Sequence, residues 1–167
     1  MTRRTMLLGT AGTLAIFSLF RWGTSTDAAP AVKFEVEKSD EEWRKLLTPA
    51  QFDVLRKHGT ERPGTSPLNA EKRKGTFACA GCDLPLFAYE TKYESGTGWP
   101  SFWQPLANAV GTTVDKSLFM TRTEVHCRRC GGHQGHVFED GPKPTGLRYC
   151  INGVALKFVP NAAGGPA

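Results

Sequence analysis

Two short cysteine motifs constrain this chain more than any other feature. The sequence contains Cys79-x-x-Cys82 and Cys127-x-x-Cys130, with 44 residues between the two motifs. A tight turn at each motif lets two sulfurs converge on one ion, so the four thiolates predict a closed zinc site. Because such a site leaves no position for substrate, the zinc is expected to be structural. Two disulfides and a redox-active Cys-x-x-Cys are the alternatives, although the helix typical of the redox motif is missing.

The size of the chain predicts one domain with a small core. The protein has 167 residues, and small cores often need a metal or disulfide staple. Its net charge is +5, and no run of Lys and Arg is interleaved with aromatic residues. This pattern disfavours nucleic-acid binding and indicates a mildly basic, solvated surface.

The N-terminus resembles a bacterial export signal. Arg3 and Arg4 precede an apolar stretch over residues 7–20, and small residues follow. The paired arginines resemble the twin-arginine signal, which predicts an exported, periplasmic protein. An uncleaved membrane anchor is the alternative, although the stretch is shorter than a bilayer span. The expected organisation is a signal or anchor at 1–31, a linker at 32–39, a domain at 40–160 and a tail at 161–167.

The domain is expected to begin with two helices and to continue as short strands. Residues 40–47 start with Asp40 as a candidate N-cap, and residues 49–58 are expected to end at a left-handed Gly59. Trp43, Phe52 and Leu55 are predicted core residues. Short strands are predicted at 76–79, 86–89, 110–114, 118–125, 136–138, 147–151 and 154–159. Their spacing predicts a mainly β fold of antiparallel sheets, in a barrel or sandwich.

Cys150 is the fifth cysteine and has no partner motif. In a strand, Arg148, Cys150 and Asn152 face the same side. A nearby cation favours the thiolate, which is the reactive form of cysteine. The segment therefore suggests a nucleophile, while a buried, inert cysteine is the alternative.

Two further segments carry candidate functional side chains. His133 and His136 are three residues apart and precede Asp140, so they could be metal ligands, structural groups or acid catalysts oriented by that carboxylate. The glycine-rich segment 95–103 contains Trp99 and suits an apolar surface pocket. An aromatic core residue in a tight turn is the alternative for this tryptophan.

Taken in order, these segments resemble the methionine-R-sulfoxide reductase family. The resemblance covers roughly residues 40–158. It rests on both cysteine motifs together with segments 47–52, 58–61, 92–102, 135–142 and 144–152. The family resemblance implies two antiparallel sheets with short helices packed at the N-terminal side.

The resemblance also implies roles for individual residues. Cys150 matches the nucleophile, and Trp99 matches the tryptophan that contacts the substrate methyl group. The other implied catalytic residues are His133, His136, Asn152, Arg148 and Asp140. The other implied substrate-binding residues are Phe102 and Phe138. The implied zinc ligands are Cys79, Cys82, Cys127 and Cys130.

The implied reaction is the reduction of methionine-R-sulfoxide in oxidised proteins, without an organic cofactor. Cys150 attacks the sulfoxide sulfur, His136 is the favoured proton donor to the oxygen, and Cys150 becomes a sulfenic acid. Many family members carry a resolving cysteine where this chain has Thr97, and Gly153 and Gly64 also depart from the family pattern. We therefore expect a one-cysteine cycle, regenerated by a thioredoxin-like protein or a small thiol. A monomer is expected because the sequence carries no interface signal.

Two rival functions follow from the cysteines. A non-catalytic zinc-ribbon-like binding module would bury Cys150 and would not need the His, Trp and Cys set. A general disulfide oxidoreductase would use the Cys-x-x-Cys motifs and would work without zinc.

Overall fold

A computed structural model describes residues 33–116 and 120–161 of the chain. The predicted export signal or anchor at 1–31 lies outside the described residues, as does nearly all of the predicted tail. Within the described ranges, no helix is long and apolar enough to cross a membrane.

Two short helices open the fold, and both begin with a capping box. Helix α1 spans Asp40–Leu46 and α2 spans Pro49–Lys57. The cap of α1 is Ser39 rather than the predicted Asp40, because the Ser39 hydroxyl accepts the backbone N–H of Glu42. Helix α2 ends in the left-handed region at His58 (φ 56°), so the predicted left-handed Gly59 is wrong by one residue.

Nine strands follow the helices within the residues that the structure describes, and the predicted mainly β class is confirmed. The strands are β1 Gly75–Cys79, β2 Pro85–Ala88, β3 Lys92–Tyr93, β4 Ser101–Phe102, β5 Val110–Asp115, β6 Arg122–Cys127, β7 His133–Phe138, β8 Arg148–Ile151 and β9 Leu156–Pro160. They form two antiparallel sheets, with the orders β2-β1-β9 and β3-β4-β8-β7-β6-β5.

Several strand boundaries differ from the predicted ones. The predicted strand at 118–125 begins at Arg122 in the described residues, and β7 begins at His133, three residues earlier than predicted. A turn of 3-10 helix at Gly153–Ala155 precedes β9. Strands β3 and β4 were not predicted, because two residues are too few to show the alternation of a strand.

Aromatic side chains join the two sheets. Phe102 of β4 stacks on Phe87 of β2, with ring centroids 4.4 Å apart, and meets Phe77 of β1 edge-on at 5.0 Å. All three rings are fully buried. The predicted core residues of the helices, Trp43, Phe52 and Leu55, are buried as well.

Strand β8 is an interior strand of the larger sheet, and this placement determines the neighbours of Cys150. Cys150 pairs with Ser101 of β4 on one side and with His136 of β7 on the other. Residues directly opposite each other in antiparallel strands point to the same face of the sheet. Cys150 therefore lies between a hydroxyl and an imidazole on one face.

Candidate active site and metal centre

The four motif cysteines converge at one point. The Sγ atoms of Cys79 and Cys130 lie 3.7 Å apart, and those of Cys82 and Cys127 lie 3.5 Å apart. All four sulfurs are within 4.8 Å of one another. Tetrahedral zinc with Zn–S bonds of about 2.3 Å requires sulfurs about 3.8 Å apart. The four thiolates therefore fit a zinc ion by number, type and spacing.

The backbone around this cluster is held in tight turns. The N–H of Asp83 donates to the carbonyl of Cys79, and the N–H of Gly131 donates to the carbonyl of Cys127. Gly131 has φ 67°, a left-handed conformation that favours glycine. The buried Gln134 side chain donates from Nε2 to Sγ of Cys79 at 3.5 Å, which supplies a hydrogen bond to a ligand sulfur.

A separate small pocket surrounds Cys150. Its volume is about 130 Å³. The lining residues are Thr60, Trp99, Arg122, Gly135, His136, Phe138, Cys150 and Asn152. A thiol, an imidazole, an indole and an amide thus meet in one cavity, and all four belong to the predicted site.

The environment of Cys150 acts on its thiol in opposite directions. Burial raises the pKa of Cys150, while the Thr97 hydroxyl, 3.9 Å from Sγ, and the Arg148 guanidinium lower it. Burial is the larger effect, so the pKa lies above the ordinary value of a cysteine. Arg148 acts in the predicted direction, although the effect of burial is larger.

The two predicted histidines occupy different surroundings. His136 lines the Cys150 pocket, and its Nε2–H donates to Oδ2 of Asp115 at 2.8 Å. Burial lowers the pKa of His136 below its ordinary value, although the hydrogen bond to Asp115 opposes this. His133 is 3% exposed and does not line the Cys150 pocket; its Nδ1–H donates to Oε1 of Glu124 at 2.7 Å. The two rings lie 5.4 Å apart.

Trp99 and Asn152 are held at the pocket by the segment after α2. The indole N–H of Trp99 donates to the backbone carbonyl of Glu61 at 3.1 Å. Oδ1 of Asn152 accepts the backbone N–H of Glu61 at 3.0 Å, and its Nδ2 donates to the carbonyl of Gln134 at 3.0 Å. With these bonds made, the indole face and the amide are fixed before any ligand binds.

Besides His133, three predicted catalytic or substrate-binding residues do not line the pocket. Phe102 is fully buried and packs between the sheets, so its assignment to substrate binding is corrected to a core role. Arg148 and Asp140 form a two-bond ion pair, with both N···O distances 2.8 Å. The Arg148 guanidinium also lies over the ring of Phe138 at 4.4 Å, so this pair supports one wall of the pocket.

Several residues that organise the site were not predicted from the sequence. The Glu61 carboxylate accepts the backbone N–H groups of Gly153 (2.5 Å) and Val154 (3.0 Å), which fixes the turn after β8. Asp115 pairs with His136 and with Arg122, which is 2.7 Å away. The segment around Glu61 was among the matching ones, so its position was a usable signal. Asp115 offered none, because it is one ordinary carboxylate in a strand 21 residues from its histidine.

Comparisons with known proteins support one family. The SelR domain matches residues 47–160. A peptide methionine sulfoxide reductase MsrB from Leptospira interrogans is 56% identical over 128 residues, covering 76% of this chain and 98% of that protein. An MsrB from Methanosarcina barkeri is 58% identical over 124 residues, covering 74% of this chain and 87% of that protein. An MsrB from Agrobacterium fabrum is 54% identical over 127 residues, with 75% and 94% covered.

Proposed function

The chain belongs to the SelR-domain family of MsrB peptide methionine sulfoxide reductases, and from this premise we propose how its residues carry out the reduction. It is a peptide-methionine (R)-S-oxide reductase. The family assignment excludes the two rival functions, a non-catalytic zinc-ribbon-like module and a general disulfide oxidoreductase. The residue roles, the metal, the reductant and the location that follow are proposals.

Cys150 is the nucleophile. Its sulfur attacks the electrophilic sulfur of the sulfoxide and forms an S–S bond. The oxygen then moves to the Cys150 sulfur, as the S–O bond of the substrate and the new S–S bond both break. Methionine is released, and Cys150 is oxidised from thiol to sulfenic acid, so the two electrons balance. The observation that carries this role is the single pocket that joins Cys150 with His136, Trp99 and Asn152.

His136 supplies the proton to the sulfoxide oxygen. It lies directly across from Cys150 on the neighbouring strand. Its Nε2–H is bonded to Asp115, so Nδ1 is the atom left to carry a second proton. Asp115 stabilises that charged form, while burial makes the imidazolium a stronger acid. A strong acid suits a poor leaving oxygen.

Trp99 and Asn152 recognise the two ends of the sulfoxide group. The indole nitrogen of Trp99 is already bonded to Glu61, so the apolar ring is what the pocket presents to the substrate methyl group. Asn152 is 3% exposed, its side chain is held by two hydrogen bonds, and it supplies a polar group to the lining of the pocket. Phe138 completes the apolar wall.

Cys79, Cys82, Cys127 and Cys130 hold one structural zinc ion. Four thiolates would complete a tetrahedral zinc site, so the ion would supply folding energy and not Lewis-acid chemistry. The four cysteines would thereby join the turn between β1 and β2 to the turn between β6 and β7. Gln134 connects this centre to the pocket, because its side chain bonds Cys79 and its carbonyl bonds Asn152.

An external thiol regenerates the enzyme. The chain has five cysteines, and four belong to the cluster. Thr97 stands next to Cys150 in place of a resolving thiol. A thioredoxin-like dithiol protein or a small thiol therefore reduces the Cys150 sulfenic acid directly. The substrates are oxidised proteins and peptides, and the working unit is a monomer.

The protein acts after export, in the bacterial periplasm. The support is the order of paired arginines, apolar stretch and small residues in segment 1–31. Export by the twin-arginine route would carry a domain that is already folded and metal-loaded. Retention of segment 1–31 would instead leave the domain anchored to the membrane, and fractionation of cells expressing the full chain separates these outcomes.

One experiment tests the proposed chemistry. The purified, zinc-loaded domain without residues 1–31 is mixed with a peptide containing both epimers of methionine sulfoxide, in a single turnover without reductant. We expect loss of the R epimer alone and one trapped sulfenic acid per chain, on Cys150. Cys150→Ser is the matched control and should consume neither epimer. Turnover of the R epimer by the control would show that another group is the nucleophile.

A further inference from the structure

A second cluster of ligand-type side chains lies behind the active site. His58 and His133 both direct Nδ1 at the same atom, Oε1 of Glu124, at 3.0 Å and 2.7 Å. The three donor atoms are all within 4.8 Å of one another. This donor set, two imidazole nitrogens and one carboxylate oxygen, is one that proteins use for zinc. We propose that His58, Glu124 and His133 form a second divalent transition-metal site, distinct from the four-cysteine centre.

The positions of the three residues suit a partly built site. Glu124 lies on β6 and His133 on β7, so the sheet fixes two of the donors, and both side chains are largely buried. His58 is the C-cap residue immediately after α2, and 64% of its side chain is exposed. His133 donates a hydrogen bond to Oε1 of Glu124, and Nδ1 of His58 lies 3.0 Å from the same oxygen. An ion bound at about 2.1 Å from each donor needs donors about 3 Å apart or slightly more, and His58 has room to move.

Binding involves no oxidation or reduction. An imidazole that binds the ion through Nδ1 carries its proton on Nε2, which leaves the Nδ1 lone pair for the ion. Two neutral imidazoles and one carboxylate leave the ion with open positions for water.

The charges nearby favour a site weaker than the four-thiolate centre. A cavity of about 520 Å³ is lined by all three donors and also by Asp115, Lys116 and Arg122. The negative charges of its two carboxylates, Asp115 and Glu124, are therefore balanced by the positive charges of the lysine and the arginine. The basic residues in the last turn of α2 are directed elsewhere, Arg56 to the Cys130 carbonyl and Lys57 to Asp40. The C-terminal end of a helix also favours a cation.

Metal binding would reach the substrate pocket. Thr60, Arg122 and His136 line both this cavity and the pocket of Cys150. The His133 ring, which the ion would hold, lies 5.4 Å from the His136 ring. We expect added Zn²⁺ to slow turnover reversibly; this consequence rests on the proposed function, whereas the binding site itself does not.

The test measures metal binding directly. Co²⁺ is added to zinc-loaded protein carrying Cys150→Ser, so that no free thiolate competes. We expect one further ion per chain, with visible bands typical of nitrogen and oxygen ligands and without the charge-transfer bands of thiolates. His58→Gln should remove this second ion while the four-cysteine zinc stays bound. The matched control His126→Gln removes a histidine outside the cluster and should keep it.

Two results would overturn the site. One is the absence of a second ion in the unmodified cluster at millimolar Co²⁺. The other is a second ion that persists in His58→Gln. In the protein with Cys150 intact, added zinc should slow turnover. In His58→Gln, the turnover rates measured with and without added zinc should be nearly equal. Binding without any reductase activity would uphold the metal site and contradict the proposed function, so the two failures are distinguishable.

Discussion

The four-cysteine centre and the Cys150 pocket use the same side chain for opposite purposes. In the centre, sulfurs from two turns approach within 3.5–3.7 Å in pairs, and three of the four cysteines are buried. Cys150 instead lies alone on an interior strand, half-buried, with a hydroxyl and a guanidinium as its neighbours. The comparison shows that four converging sulfurs fit a metal ion, whereas one isolated sulfur in a pocket fits the proposed nucleophile.

The two regions are neighbours that share one residue. Gln134 is fully buried, with its side chain on Cys79 and its carbonyl on both donors of Asn152. The metal centre and the reactive centre are therefore mechanically linked, yet each should respond to its own substitutions. The following predictions test how far that separation holds.

The largest effect is expected from breaking the metal centre. Cys127→Ser leaves three sulfurs for the ion, and structural zinc sites contribute on the order of 10 kcal/mol to folding. Since whole domains are stable by about 5–15 kcal/mol, the variant should lose zinc and its cooperative thermal transition. Metal analysis and circular dichroism check this. A zinc-free variant that melts like the parent would mean that the centre does not support the fold.

The complementary substitution removes the nucleophile. Cys150→Ser should lower reductase turnover by about 10³-fold or more, because a serine hydroxyl does not replace a thiolate here. Zinc content and the melting curve should match those of the parent. If activity survived, the nucleophile would have to be sought elsewhere, and loss of zinc in this variant would contradict the separation of the two regions.

Removal of the proposed proton donor, His136, should have the next largest effect on turnover. His136→Gln should reduce turnover about 10²-fold, in the range expected for general acid catalysis. Asp115→Asn should have a smaller effect in the same direction, because Asp115 acts through the histidine. His126→Gln, which changes a histidine outside the pocket, is the control. Equal losses in His136→Gln and His126→Gln would argue for a structural effect only.

Substitution of Gln134, which contacts both regions, should weaken metal binding but leave turnover nearly unchanged. Gln134→Met keeps the volume but removes the hydrogen bond to Cys79, and loss of such a contact typically weakens metal binding about 10-fold. A competition titration with a coloured chelator measures this. Turnover of the fully loaded variant should be close to that of the parent, because the carbonyl that holds Asn152 is unchanged. A matching loss of turnover would show that the regions are not separable.

The smallest effect concerns the charge beside Cys150. Its pKa is raised overall, so alkylation of the thiol should still be increasing with pH where an ordinary cysteine levels off. Arg148 lowers this pKa, and Arg148→Gln should therefore slow alkylation several-fold at neutral pH. Asp140 raises it, and Asp140→Asn should have the opposite sign. Stopped-time alkylation across a pH series checks both. Changes of the same sign in both variants would contradict the electrostatic account.

Local signals explain what could be predicted from the sequence. The cysteine spacing, the Thr48-Pro49 helix start and the shared face of Cys150 and Asn152 all depend on neighbours within a few residues, and each is found in the structure. The mainly β class followed from the density of short apolar segments.

What could not be predicted depends on pairing between strands. Glu124 and His133 meet only because β6 and β7 are adjacent in the larger sheet, and no local pattern marks that contact. Phe102 was misassigned because an aromatic in a glycine-rich segment fits a pocket or a core equally well until the second sheet is in place. The left-handed position after α2 was assigned to Gly59 because glycine adopts that conformation most readily, but His58, the residue before it, occupies the position.

The placement of the two cysteine turns has a consequence for the lifetime of the fold. One turn belongs to the three-stranded sheet and the other to the six-stranded sheet, so a bound ion would fasten together two sheets that share no strand. Separating the two sheets would require thiolates to leave the metal. This requirement would slow unfolding far more than metal binding would speed folding. The centre should therefore act mainly as a brake on the rate of unfolding, and a chelator should shorten the half-life of the folded protein.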